Sequence, residues 1–180
     1  MSSGIQAKTE QPYPPVRAGG KNPLYAGAML SNVGGGNSEM SAVGQYFYNS
    51  LAAGERYGQI AAAFHSVAVV EMHHLAIFGQ LALQFGADPR LWERRGGRYF
   101  WWTPAYLNYP REIGAMLRGA VESEKAAVRK YTLQARNIRD ENAVANLKRI
   151  LQDEELHIRI FQNLLMQLAG PGPGKGARKP

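Results

Sequence analysis

The feature that most constrains this chain is an internal repeat that relates its first half to its second. The pattern Glu-x-x-Ala-Val-x-x-Tyr occurs at residues 39–46 and again, 85 residues later, at 124–131. The pattern Glu-x-x-His-(Leu/Ile)-x-Ile-Phe-x-x-Leu-x-x-Gln occurs at 71–84 and again, 83 residues later, at 154–167. Two copies of one unit at nearly equal spacing predict duplicated helical hairpins, related by an approximate twofold axis.

Gly and Pro residues divide the chain into four helical segments. We expect the first three helices at about residues 24–52, 55–85 and 110–138, and a fourth that Asp140 caps and that runs to Ala169. The Gly34-Gly35-Gly36 run should disturb the first helix. No stretch shows sustained period-two alternation. The predicted fold is therefore an all-α antiparallel four-helix bundle over residues 23–170, with a long crossover at 87–109 between helices two and three.

The two ends of the chain differ in composition from its middle. Residues 1–22 and 171–180 are rich in Pro, Gly and basic side chains, which predicts a disordered N-terminal tail and a basic Gly/Pro C-terminal tail. These tails carry most of the net charge of +7, so we expect no nucleic-acid partner. The apolar stretch at 60–83 is interrupted by ionisable residues, and the N-terminus has no apolar signal region. We therefore expect no membrane span and a cytoplasmic location.

The repeated residues share one face of each helix. Positions i and i+3 lie on the same side of an α-helix, as do positions seven apart. The apolar neighbours of the repeated residues predict that this face points into the core. It would bring together Glu39, Glu71, His74, Glu124, Glu154 and His157. Four carboxylates and two imidazoles would then be buried in one bundle.

Buried carboxylates require a compensating charge, because each one costs several kcal/mol when it is unpaired. Two divalent cations supply four positive charges against four carboxylates. The chain contains no cysteine, which excludes a Cys-type zinc site, an iron–sulfur cluster and a rubredoxin module within these 180 residues. Oxygen and nitrogen ligands without sulfur suit iron or manganese. The sequence therefore predicts two metal ions per chain, with iron favoured and manganese as the alternative.

Residues 36–169 resemble the ferritin-like superfamily, and in particular its rubrerythrin, bacterioferritin and manganese-catalase group. The resemblance implies a ferritin-like bundle in which Glu39 and His74 bind one metal, Glu124 and His157 bind the other, and Glu71 and Glu154 bridge them. It further implies a redox enzyme that reacts with hydrogen peroxide or dioxygen, favoured as a rubrerythrin-like peroxidase or ferroxidase with an unidentified electron donor. The alternatives are a dimanganese catalase and an iron-storage or structural coat protein. A homodimer or larger assembly is expected.

Several neighbouring residues have competing interpretations. Tyr46 and Tyr131 are candidate catalytic residues, but the simplest interpretation is that they are core phenols bonded to the ligand carboxylates. Met72 corresponds to a position that ligates haem in bacterioferritin-like proteins, although packing is the favoured role and haem is not expected. Glu122 competes with Glu124 as the ligand of the third helix, but only Glu124 keeps the register of the repeat. Glu155 is expected to be solvated.

The remaining candidates are two histidines and the aromatic crossover. His73 lies off the ligand face, so we expect it at the surface or in an interface. His65 is interpreted as a core or interface histidine. The crossover contains the densest aromatic cluster of the chain, Tyr99, Phe100, Trp101, Trp102, Tyr106 and Tyr109. We interpret this cluster as a strap over the bundle or as a subunit interface.

Overall fold

The computed structural model describes residues 5–170, and within them it confirms the helical bundle. The helices and strands, in chain order, are α1 (Pro23–Gly34), α2 (Glu39–Ala53), α3 (Gly58–Gln84), β1 (Trp92–Arg95), β2 (Arg98–Trp101), α4 (Ile113–Asn137) and α5 (Glu141–Ala169). Short 3-10 turns occur at Glu55–Tyr57 and Pro104–Tyr106. The predicted C-terminal tail lies outside the described residues.

The first predicted helix is two helices rather than one. α1 ends at Gly34, and α2 begins at Glu39. The Ser38 side chain caps α2 by accepting a hydrogen bond from the Ser41 backbone amide. The close approach of the crossover explains the position of the break, because a Cβ built on Gly34 would lie 2.3 Å from the Trp92 backbone nitrogen. The ammonium group of half-buried Lys130 donates hydrogen bonds to the carbonyls of Ser31 and Asn37 on the two sides of the break.

The helices pair as two antiparallel hairpins. α1 and α2 together pack along α3, and α4 packs along α5. Two apolar clusters fill the bundle above and below a central polar layer, one around Tyr46 and the other around Tyr131. By length and composition alone the segment Glu55–Gln84 could cross a membrane, but half of its apolar window is buried within the bundle.

The crossover contains a β-hairpin that the sequence analysis did not predict. β1 and β2 pair antiparallel with Arg95 opposite Arg98. The hairpin turns at Gly96 and Gly97, whose φ angles of 54° and 80° are typical of a tight turn that requires glycine. The sequence signal for this hairpin was the Gly96-Gly97 pair, which lies between two short runs of aromatic and charged residues. Strands of four residues are too short to show a clear alternation.

The aromatic residues of the crossover separate into two groups. Trp102 donates a hydrogen bond from Nε1 to the Ser41 hydroxyl at 3.0 Å, and Leu107 lies against Gly44 of α2. These contacts form the strap that the sequence analysis expected. The side chains of the β2 aromatics, in contrast, are exposed to solvent: Tyr99, Phe100 and Trp101.

Residues 5–22 of the predicted disordered tail pack against the bundle, which differs from the prediction, whereas residues 1–4 lie outside the described part of the chain. Ala7 is buried in one of the two apolar clusters. The Ala18 amide and the Val16 carbonyl both bond to the Gln84 side chain at the end of α3. The composition of the segment misled the prediction because its backbone groups find polar partners on α3 and α5, which the segment's own sequence does not reveal.

Candidate metal centre

The structure brings all six predicted ligand residues together at the centre of the bundle. α3, α4 and α5 contribute residues from their middles and α2 contributes its first residue, whereas α1 contributes none. Every one of the six is at most 2% exposed: Glu39, Glu71, His74, Glu124, Glu154 and His157. Their ligand atoms form two groups, each within 4.8 Å: Glu39, Glu71, His74 and Glu154 in the first, and Glu71, Glu124, Glu154 and His157 in the second.

Two carboxylates belong to both groups, and each directs one oxygen towards each histidine. Glu71 places Oε2 at 2.9 Å from His74 Nδ1 and Oε1 at 3.0 Å from His157 Nδ1. Glu154 places Oε1 at 3.2 Å from His74 Nδ1 and Oε2 at 3.6 Å from His157 Nδ1. A carboxylate that divides its oxygens between two sites has the arrangement of a bridging ligand. Glu39 and Glu124 each belong to one group only.

Two buried tyrosines contact the carboxylates in a crossed manner. Tyr131 of α4 donates a hydrogen bond to Glu39 Oε1 of α2 at 2.6 Å, and Tyr46 of α2 donates one to Glu124 of α4. Each tyrosine therefore serves the glutamate of the opposite helix rather than the one on its own helix. The interpretation of both residues as core phenols bonded to ligand carboxylates agrees with these contacts.

Burial and mutual repulsion shape the electrostatics of the cluster. Burial raises the pKa of Glu39, and the Glu71 and Glu154 carboxylates raise it further. Burial likewise raises the pKa of Glu124 to about 8, and the Glu154 carboxylate adds to this effect. Burial would lower the pKa of each histidine, but the surrounding carboxylates raise it. The cluster thus favours compensation by positive charge.

Some polar atoms of the cluster have no hydrogen-bond partner within the described part of the chain. They are Glu71 Oε1, Glu154 Oε1 and His157 Nδ1, which are buried and lie within 3.0–3.2 Å of another atom of the cluster without the geometry of a hydrogen bond. Buried polar atoms without a hydrogen-bond partner are costly, and a bound ion is one of the few explanations for them. The donor set of carboxylates and imidazoles fits two divalent metal ions.

The competing candidates lie away from this centre. Glu122 is exposed and pairs with Lys125, and Glu155 is exposed on α5. Met72 is half-exposed on α3, and the expectation that it packs rather than binds haem stays a prediction. His73 is exposed at the surface, with its ring against Tyr13. His65 is also exposed, which rules out the core role.

Three residues that were not predicted from the sequence form a group on the outer side of His74. Tyr13 comes from the N-terminal segment, and Arg149 and Asp153 come from α5. Asp153 contacts His74 Nε2 at 3.2 Å. A signal for the α5 pair was present, because 83 residues earlier the repeat has Ser66 and Val70 instead. Asp153 directly precedes Glu154, and an acidic residue at this position in only one half indicates a partner specific to that half.

The fold and the site together define a ferritin-like bundle of the di-metal carboxylate class. The chain belongs to the rubrerythrin family, whose profile matches residues 37–165. It is also 24% identical to a protein named probable manganese catalase from Clostridium acetobutylicum, over 97% of this chain and 81% of that protein.

Solved structures with the same fold come from two kinds of protein. KatB, a manganese catalase from Anabaena PCC7120, superposes with a TM-score of 0.80 at 25% identity, over 96% of this chain and 85% of KatB. A dodecameric thioferritin from Bacteroides fragilis, described as bacterioferritin-related, gives a TM-score of 0.63 at 23% identity, over 81% of this chain and 84% of that one. The resemblance to the ferritin-like group is thereby confirmed.

Proposed function

We propose that the chain binds two redox-active divalent metal ions and disproportionates hydrogen peroxide, as a manganese catalase does. The observation that carries this proposal is the division of the Glu71 and Glu154 oxygens between the two histidines. In this proposal the two ions share those bridges. The remaining ligands are Glu39 and His74 for one ion and Glu124 and His157 for the other.

The proposed reaction converts two molecules of hydrogen peroxide into two of water and one of dioxygen. One peroxide is oxidised by two electrons and the other is reduced by two, so no external donor is needed. A pair of manganese ions would store these two electrons between the half-reactions. Similarity to proteins named manganese catalases supports this choice over iron. The absence of cysteine within these 180 residues is consistent with a cycle that does not draw electrons through a thiolate-bound cluster.

The chain's own residues would orient the ligands and keep the site dry. Tyr46 and Tyr131 donate hydrogen bonds to Glu124 and Glu39, which fixes the carboxylates that each serve one ion. The apolar clusters above and below exclude bulk water, so the ligands are preorganised in a low-dielectric core.

A second candidate is an iron-loaded peroxidase or ferroxidase that requires an electron donor. Membership of the rubrerythrin family favours it, and the ligand set suits iron as well as manganese. The two candidates differ in what they need besides peroxide. A catalase releases dioxygen without a reductant, whereas a peroxidase consumes peroxide only when a reductant is supplied.

The test is to load the purified chain separately with Mn(II) and Fe(II). Metal per chain and dioxygen release from peroxide are then measured with and without a reductant. We expect two manganese ions per chain and dioxygen release without a reductant. Glu124→Gln should lose an ion and the activity, whereas Glu122→Gln, an exposed carboxylate two residues away, should retain both.

Two other outcomes would change the conclusion. Peroxide consumption by the iron form alone, and only with a reductant, would replace the catalase proposal with the peroxidase one. If neither metal binds, or if Glu122→Gln and Glu124→Gln behave alike, the metal centre itself is refuted.

A further inference from the structure

The outer nitrogens of the two histidines have different partners. His157 Nε2 donates a hydrogen bond to the backbone carbonyl of Ala7 at 2.8 Å. His74 Nε2 lies 3.2 Å from Asp153 Oδ2 and 3.2 Å from the Tyr13 hydroxyl. A carbonyl oxygen is neutral and a carboxylate can carry a full charge. The two halves of the centre therefore have matching inner ligands and unequal outer support.

Asp153 is held by a dense set of donors, most of them from the N-terminal segment. Its Oδ1 accepts hydrogen bonds from the Thr9 amide at 2.8 Å and the Thr9 hydroxyl at 3.0 Å. Its Oδ2 accepts one from the Tyr13 hydroxyl. Arg149 Nη1 lies 2.8 Å from Oδ1, one helical turn away on α5. A fully buried carboxylate with this many partners has a fixed orientation.

Arg149 ties the same segment to the bundle. The guanidinium is 3% exposed and donates hydrogen bonds to the Gln11 carbonyl at 2.7 Å and the Thr9 carbonyl at 3.1 Å. It also lies 4.2 Å from the centre of the Tyr13 ring. Residues 7–13 thus pass over both histidines. We call this stretch the N-terminal clasp.

We propose that the N-terminal clasp retains the metal ions, and that it does so unequally. Tyr13 and Asp153 are positioning residues for His74 and thus for the ion of the Glu39–His74 half, whereas the Ala7 carbonyl alone orients His157. The inference rests on the proposed metal binding. Its physical basis is that a ligating histidine is oriented, and made more basic, by the group that accepts its second N–H.

The repeat provides an independent argument for this inequality. The residue 83 positions before Asp153 is Val70, and the residue 83 positions before Arg149 is Ser66. Val70 lies in the same apolar cluster as Ala7, whose carbonyl bonds to His157, so the position equivalent to Asp153 offers no carboxylate there. The sequence thus differs between the halves where the outer support differs.

The experiment uses the full chain loaded with Mn(II) and challenged with excess EDTA. Metal per chain is followed over time, together with the electron paramagnetic resonance signal, which distinguishes paired from single manganese ions. In Tyr13→Phe and Asp153→Asn we expect one ion to leave about 10–100-fold faster than in the unmodified chain. The second ion should leave at the unmodified rate, and the paired signal should convert to a single-ion signal.

Two matched controls accompany these variants. Glu155→Gln removes an exposed carboxylate two residues from Asp153, and Tyr99→Phe removes an exposed phenol. Neither should change the release of either ion. Asp153→Asn leaves the buried Arg149 without its anion and can fail to fold. Tyr13→Phe removes a single hydroxyl, so it decides the question by itself in that case.

The outcomes separate this inference from the proposed function. If Tyr13→Phe releases both ions faster by the same factor, or releases neither faster, the unequal clasp is refuted while metal binding stands. If the unmodified chain takes up no Mn(II), the proposed function is refuted and the inference is refuted with it.

Discussion

The two halves of this molecule carry the same inner residues on different scaffolds. In the second half, α4 and α5 are continuous helices of 25 and 29 residues. In the first half, the helix opposite α3 is broken between Gly34 and Glu39, and the crossover lies against the break. Both scaffolds nevertheless direct a glutamate and a crossed tyrosine to the centre. The central cluster therefore constrains only a few inward positions, and the rest of each hairpin differs between the halves.

The halves also differ in what supports their histidines from outside. His74 has a buried carboxylate and a phenol, whereas His157 has one backbone carbonyl. The two copies of the repeat contain the same candidate ligands but do not have the same outer partners. The N-terminal segment has no second copy, so it presents different groups to the two histidines.

We expect the strongest effect from a substitution of Glu71, whose two oxygens face the histidines of the two halves. Glu71→Gln should remove both ions and lower peroxide turnover by at least about 10³-fold, since metal stabilisation amounts to several kcal/mol at about 1.36 kcal/mol per tenfold change. His157→Ala should remove only one ion. Metal analysis and oxygen-electrode rates check both expectations. Loss of a single ion in Glu71→Gln would contradict its bridging role.

The broken helix of the first half should be much more sensitive to a methyl group than the continuous helix of the second. Gly34→Ala should lower the free energy of unfolding by about 2 kcal/mol, because its Cβ would overlap the Trp92 backbone. Gly119→Ala, at a position with open space in α4, should raise it by about 0.5–1 kcal/mol. Urea unfolding of each metal-loaded variant measures the difference. Equal changes in the free energy of unfolding for Gly34→Ala and Gly119→Ala would show that the crossover does not restrict the space at Gly34.

The crossed tyrosines should be equivalent even though the scaffolds are not. Tyr46→Phe and Tyr131→Phe should each cost about 1 kcal/mol in the free energy of unfolding, because each removes one buried hydrogen bond to a carboxylate. Tyr48→Phe, which removes a longer bond to the Pro110 carbonyl, is the control and should cost less. Markedly unequal losses for the first two variants would mean that the two glutamates have different roles.

The weakest effect that we expect is a change in folding stability at alkaline pH, which arises from Tyr13 of the N-terminal clasp. Burial and the hydrogen bond to Asp153 raise the pKa of Tyr13 to about 12, despite the nearby His74. An unfolded tyrosine ionises near pH 10, so the unfolded state releases this proton at a lower pH than the folded state does. The folded state therefore loses stability relative to the unfolded state as the pH rises from about 10 to 12. Tyr13→Phe should therefore flatten the fall in stability over this range.

Solvent screening keeps the size of the effect below about 1 kcal/mol. Tyr99→Phe is the control, because its phenol is exposed in β2. Unfolding free energies of the three proteins across this pH range provide the measurement. A Tyr13→Phe curve parallel to that of the unmodified chain would contradict the raised pKa.

Much of the fold could be predicted from the sequence because helical patterns are local. The repeat and the spacing of Glu71 and His74 sufficed to predict the bundle and to assign an inward face. The break before Glu39 was only partly anticipated, since the glycine run indicates where a helix weakens but not that another segment will occupy the space. The β-hairpin at Gly96-Gly97 was missed because its strands are too short to show a period.

The local sequence pattern was enough to identify the six side chains of the central cluster, because a helix fixes the direction of each residue relative to its neighbours a turn away. Only the tertiary structure decided which tyrosine contacts which glutamate and that residues 7–13 lie over the histidines. These contacts join segments separated by 78 to 150 residues. No local pattern encodes them, because they depend on how complete helices dock and on which buried polar atoms then need a partner.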